Sequence, residues 1–152
     1  MYKKVLVPLD GSELAECALD HVRNLAKVFS PNEVILLNVF QVPLPPLAPG
    51  YDGVLIDLGP LRNEYLNKSK QYLTAVQSKL SSKGVTVKTE SIEGKPASVI
   101  SEYTQQNGID IIIMATHGYT GVKRMLLGSV ANQVIHESHV PVLLIRPEEA
   151  CK

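Results

Sequence analysis

Apolar residues along the chain fall into five short runs, separated by stretches in which they recur at helical spacing. Val5-Leu6-Val7-Pro8 is the first run and is read as a strand. Asp10-Gly11-Ser12 follows as a turn signal, with Ser12 placed to cap a helix. Leu14, Ala18, Leu25 and Val28, with Cys17, Val22 and Phe29 beside them, then repeat as one face of a single helix that Pro31-Asn32 stops. Val34 to Val39 is the second run, nearly apolar throughout, as befits a strand covered on both sides. Leu61 to Lys83 carries a long helical stripe (Tyr65, Leu66, Tyr72, Leu73, Val76, Leu80), with Gly84 as its expected C-terminal cap. Val85 to Ile92 alternates like a strand with one wet face. Gly94-Lys95-Pro96 turns into a short helix that Asn107-Gly108 ends. Ile109 to Ala115 is the fourth strand, Val130 to His136 lies in the last helix, and Val140 to Arg146 is the fifth strand, closed by Pro147.

The order is therefore β-α-β-α-β-α-β-α-β over one domain, residues 1–152. Such alternation predicts an α/β, Rossmann-like fold: a five-stranded parallel sheet with helices on both faces, joined by right-handed crossovers. The expected strand order is 3-2-1-4-5. Its switch point falls between strands 1 and 4, and ligands bind at the carboxyl ends of strands flanking such a point. Those ends carry Pro8-Leu9-Asp10 and Ala115-Thr116-His117-Gly118.

Between Val42 and Pro60 the pattern breaks down. Five prolines (Pro43, Pro45, Pro46, Pro49, Pro60) and three glycines deny this stretch a regular helix or central strand. It reads as a surface insertion or as a flap over a ligand site.

Composition changes this picture little. Lysine plus arginine and aspartate plus glutamate are 15 each, so no polybasic tail points to a nucleic-acid or membrane partner. No apolar run approaches the ~18 residues that span a bilayer. The opening Met1-Tyr2-Lys3-Lys4-Val5 lacks the apolar core of a signal peptide. Cys17 and Cys151 share no motif, so Cys17 is expected to be a small core residue without a disulfide. Together these features lead to the expectation of a cytoplasmic protein.

The chemistry concentrates near the expected switch point. Ala115-Thr116-His117-Gly118 follows a buried strand, and Gly128-Ser129 opens a helix nine residues later. Free backbone N–H groups at such a junction form an anion cradle suited to a nucleotide phosphate chain. Gly118 and Gly128 permit close backbone approach, and Ser129 is read as an N-cap or a phosphate ligand. His117 is read either as a phosphate donor or as a loop histidine without a role. Asp10 can accept from ribose hydroxyls or adenine, help hold a divalent cation, or simply bond its own turn. His21, His136 and His139 lack metal-ligand spacing. The chain has no G-x-x-x-x-G-K-[ST], no G-x-G-x-x-G after the first strand and no G-x-S-x-G, so binding is better supported than catalysis.

At this point the chain resembles the universal stress protein family, from Tyr2 to Pro147. Lys4 to Ser12 is similar to the family's first strand and turn, and Val34 to Val39 to its second strand. Ile111 to Gly118, Leu126 to Ala131 and Val140 to Pro147 are similar to its closing third. The family's ATP-binding branch carries G-x-x-G-x₉-G-[ST], and this chain carries A-x-x-G-x₉-G-S. The fold implied is adenine-nucleotide alpha-hydrolase-like. By resemblance, Val39 contacts adenine, and Pro8 and Asp10 lie near adenine and ribose. Met114, Ala115, His117, Gly118, Gly128, Ser129, Val130 and Ala131 line the phosphate side.

The resemblance further implies ATP with Mg²⁺ or Mn²⁺, a role in stress physiology, and a homodimer through strand 5; no catalytic residue is expected, and any hydrolysis would be slow because no general base or catalytic lysine is evident. Two departures stand out. Ala115 replaces a glycine, which suits a negative φ only. Tyr119 stands where relatives carry a cation, with Lys123 and Arg124 nearby in the same loop. A protein of this fold that binds no nucleotide and acts by interaction is the alternative. A transferase of adenylyl or phosphoryl groups is a third reading, and it lacks an evident base.

Overall fold

The computed structural model describes residues 2–44, 57–81, 86–117 and 127–147. In chain order the elements are β1 (Lys4–Pro8), α1 (Glu13–Glu16), α2 (Ala18–Phe29), β2 (Glu33–Phe40), α3 (Gly59–Ser81), β3 (Val87–Glu93), α4 (Pro96–Gln106), β4 (Ile111–Ala115), α5 (Ser129–Glu137) and β5 (Val142–Ile145). The strands form one parallel sheet in the order β3-β2-β1-β4-β5, as the alternation predicts. Gly118, Tyr119, Lys123, Arg124, Cys151, the cap at Gly84 and most of the Pro-rich segment (45–56) lie outside the described residues.

Period-two alternation divides the sheet's side chains between two cores. Val5, Val7, Val34, Leu36, Ile111 and Ile113 pack beneath α1, α2 and α3, joined by Leu19, Val22, Leu73, Val76 and Leu80. Leu6, Ile35, Leu37, Ile112 and Met114 face the other way, against Ala97 and Ile100 of α4 and Ala131 and Val134 of α5. Each fully buried aliphatic side chain contributes about 1.5–3 kcal/mol of transfer free energy. The central strands, apolar on both faces, are thus fixed by what covers them.

Several boundaries differ from the sequence reading. The single first helix is two segments. The Cys17 N–H bonds Leu14 O at 3.3 Å, a three-residue step that tightens the turn without disturbing the apolar stripe. Helix α2 then closes on Ser30, whose left-handed φ of 46° precedes Pro31. Strand β5 covers only Val142–Ile145 of the expected Val140–Arg146, because β4 offers pairing only from Ile112 to Ala115. Strand β3 starts at Val87 and extends to Glu93, pairing with Phe40. Pro96 sits in the first turn of α4 and Gly108 takes a φ of 61° just past its end, as expected.

Cys17 is buried, in keeping with a core residue, but it is disulfide-bonded, against expectation. That expectation rested on the absence of a shared motif, which says nothing of what the fold brings together in space.

Candidate functional site

Where β1 and β4 part at the switch point, a cavity of about 460 Å³ opens at the carboxyl ends of the strands. Its size suits a small-molecule ligand. Pro8 and Asp10 reach it from the end of β1, and Leu37 and Val39 from β2. Met114, Ala115 and His117 come from β4 and its exit, and Gly128, Ser129, Val130 and Ala131 from the start of α5. The structure therefore gathers every described member of the expected site around one space.

Helix α5 supplies the electropositive wall. The first four N–H groups of a helix lack intrahelical acceptors. Here the Gly128 N–H is used by the Thr116 carbonyl at 2.7 Å, and the first helical bond runs from Asn132 N to Gly128 O at 2.9 Å. Ser129, Val130 and Ala131 lie between these two bonds, and among the described residues no side chain caps the helix. Three N–H groups and the positive end of the helix dipole thus border the cavity. This corrects two expectations. Gly128 is the N-cap and Ser129 the first helical residue. The Gly128 N–H points at its own backbone instead of at a ligand.

The motif's alanine is accommodated by the strand. Ala115 lies in β4, paired with Ile145. Among the described residues Ser30 is the only non-glycine at positive φ, so Ala115 carries none of the strain that would demand glycine.

On the opposite wall, the ladder's parity decides what β2 offers. Val34 N bonds Thr86 O and Phe40 O accepts from Gly94 N, so even-numbered residues of β2 turn their backbone groups toward β3. Glu33 N bonds Lys3 O and Leu37 O accepts from Leu9 N, so odd-numbered residues turn theirs toward β1. Strand β1 ends at Pro8, opposite Leu37. Val39 is the next odd residue, and among the described residues no hydrogen bond occupies its N–H or C=O. One residue at the cavity wall therefore presents a donor and an acceptor side by side.

Asp10 is exposed, and its Oδ1 accepts from the Ser12 N–H at 2.9 Å and the Ser12 hydroxyl at 2.6 Å. Ser12 Oγ in turn accepts from Ala15 N at 3.1 Å, capping α1 as its place in the sequence predicts. The turn reading of Asp10 is thus realised. Thr116 Oγ1 and His117 Nδ1 lie 2.9 Å apart, sharing one proton that orients the ring. On α3, burial pushes the Tyr72 hydroxyl well above the ordinary tyrosine range, and the carboxylates of Glu16 and Asp10 act in the same direction.

Leu9, Ala15, Gln41, Pro96, Ile100 and Thr116 also line the cavity. Pro96 and Ile100 arrive through the packing of α4, which no local pattern announces. Asn38, a polar residue inside an apolar strand, carried a legible signal. Among the described residues no group of three His, Cys, Asp or Glu side chains could hold a metal ion, and no helix is long and apolar enough to cross a membrane.

The family model for the universal stress protein family matches residues 1–146, and the chain belongs to that family. It is 37% identical to universal stress protein MJ0577 of Methanocaldococcus jannaschii over 156 residues, covering 96% of each chain. It is 36% identical to MJ0531 of the same organism over 147 residues, covering 96% of this chain and 83% of the relative. The solved structure of MJ0577 superposes with a TM-score of 0.80 at 33% identity over 99% of both chains. A universal stress protein family protein from Arabidopsis thaliana, solved with AMP bound, shares the fold at a TM-score of 0.67 and 18% identity, over 97% of this chain and 93% of that one.

Proposed function

We propose that the cavity binds an adenine nucleotide, ATP in particular, and that the protein acts as a nucleotide-responsive module and not as an efficient enzyme. The observation that carries this is the pairing of two opposed features across one cavity. Among the described residues nothing pairs with the N–H or the C=O of Val39, which lie side by side, and the N-terminus of α5 offers three N–H groups. Adenine presents an acceptor at N1 beside a donor at N6, which matches Val39. Guanine presents a donor at N1 beside an acceptor at O6, which reverses the match and leaves both groups unpaired. The helix N-terminus suits the phosphates. Asp10, at the exposed rim between them, is placed for ribose hydroxyls.

Among the described lining residues there is one carboxylate, Asp10, and no lysine or arginine. With no metal-holding cluster among the described residues, Mg²⁺ or Mn²⁺ would enter with the triphosphate, held chiefly by phosphate oxygens and water. Phosphoryl transfer works by positioning and countercharge, so any hydrolysis at this wall is expected to be slow. The negative φ of Ala115 favours this reading over a member of the fold that has lost its ligand. In the Arabidopsis protein the same fold holds AMP. The test is a calorimetric titration of the whole chain with ATP and with GTP, in which saturable ATP binding and a preference over GTP are expected. Self-association through β5, a cytoplasmic location and a role in stress physiology complete the reading.

A further inference from the structure

The β1–β2 ladder stops one bond earlier than its own geometry requires. Leu9 N–H donates to Leu37 O at 2.8 Å. In a parallel ladder the next bond would run from the Val39 N–H to the Leu9 carbonyl. That bond is absent. The Leu9 carbonyl accepts instead from Asn38 Nδ2 at 2.7 Å. Unpaired backbone donors beside a core are rare, so the open Val39 N–H calls for a cause.

Asn38 is held firmly in this task. It is 8% exposed. Its Oδ1 accepts from the Ser69 hydroxyl of α3 at 2.6 Å, and the Ser91 hydroxyl of β3 lies 2.8 Å from that of Ser69. By strand alternation Asn38 shares the sheet face of Val34 and Leu36, beneath α3. Val39 packs with the core on the opposite face, where the cavity lies. The amide therefore engages the Leu9 carbonyl from the face away from the ligand space.

We propose that Asn38 is a positioning residue: by occupying the Leu9 carbonyl it ends the β1–β2 ladder before Val39 and keeps the Val39 N–H open to a ligand. The identity of that ligand rests on the nucleotide reading above; the ladder argument does not. Buried polar networks of this kind are commonly assigned to stability alone. The two roles make opposite predictions for one amide.

The test is site-resolved amide hydrogen exchange on the full chain without nucleotide, paired with ATP calorimetry on the same samples. In Asn38→Leu the released carbonyl accepts from Val39, so exchange at Val39 slows about tenfold while core amides elsewhere exchange as fast as before or faster. ATP affinity falls about tenfold, because the base loses its donor. Asn38→Asp keeps the shape, removes the donor and repels the carbonyl, and gives the same result should Asn38→Leu fail to fold. Ser69→Ala leaves the amide donor in place, so Val39 stays open. Exchange at Val39 that is unchanged, or that quickens with the rest of the core, overturns the proposal. A wild type that binds no ATP overturns the nucleotide reading and leaves the exchange comparison to decide the role of Asn38.

Discussion

The Gly128 N–H donates to the Thr116 carbonyl at 2.7 Å, and a Cβ on Gly128 would stand 2.9 Å from that same oxygen. The exit of β4 and the entry of α5 are thus clasped backbone to backbone. With a φ of −67°, Gly128 needs no left-handed freedom; it needs the missing side chain. Because the clashing atom is backbone, Gly128→Ala must displace the helix start. A stability loss of about 1–3 kcal/mol is expected, as for overpacking elsewhere. The displaced N–H groups of Ser129 to Ala131 should lower ATP affinity as well. Denaturant melts and calorimetry check both; wild-type values in both would show that the clasp gives way freely.

Asp10 separates into two functions by substitution. Asp10→Asn keeps the acceptor that holds Ser12 and loses the charge. Stability should be retained, and ATP should bind about tenfold more weakly through loss of a charge-assisted contact. Asp10→Ala removes the turn support too, and should cost about 1 kcal/mol of apo stability. If Asp10→Asn binds ATP like wild type, Asp10 serves the turn alone.

At the other end of the sheet, the N–H groups of Lys3 and Lys4 donate to Asp110 Oδ2 at 2.8 and 2.9 Å. These bonds, that from Lys4 first, hold the Asp110 carboxyl below its ordinary 3.8, while desolvation opposes them. A folded value below the unfolded one means stability fully present above pH ~3.8 and lost as pH falls through the depressed value. Urea melts of wild type and Asp110→Asn should therefore differ at neutral pH and converge in acid. A difference that persists below the folded value would contradict the assignment.

The sheet and the site were legible in the sequence to different depths. Strand order followed from apolar runs alternating with helical stripes, because buried parallel strands must be apolar on both faces. The spacing from Ala115 to Ser129 marked the anion wall, because small residues are needed where backbones touch. The direction of individual backbone bonds was not legible. That Gly128 donates to Thr116, and that Val39 is left open, depends on ladder register and parity. The contributions of Pro96 and Ile100 depend on how α4 docks. The end of β5 depends on where β4 stops offering partners.

Strand β5 lies at the sheet edge, paired only with β4, and Leu143 is 38% exposed. An apolar edge of this kind invites pairing with a second copy. Ile112 N bonds Pro141 O and Thr116 N bonds Ile145 O, so odd-numbered residues of β5 face β4 and Leu144 turns its N–H to the free edge. Leu144→Pro, which removes that N–H, should shift the protein to monomer in light scattering. A wild type that is monomeric at high micromolar concentration, with and without ATP, would exclude the β5 dimer.

The central claim is that one cavity reads adenine through Val39 and phosphates through the start of α5. Calorimetric titration of the whole protein with ATP and with GTP, both with Mg²⁺, tests it directly. Saturable ATP binding with one site per chain, and a preference over GTP of about tenfold or more, is predicted from the reversed donor–acceptor order of guanine. Equal affinity for the two nucleotides, or no saturable binding of ATP, would contradict it.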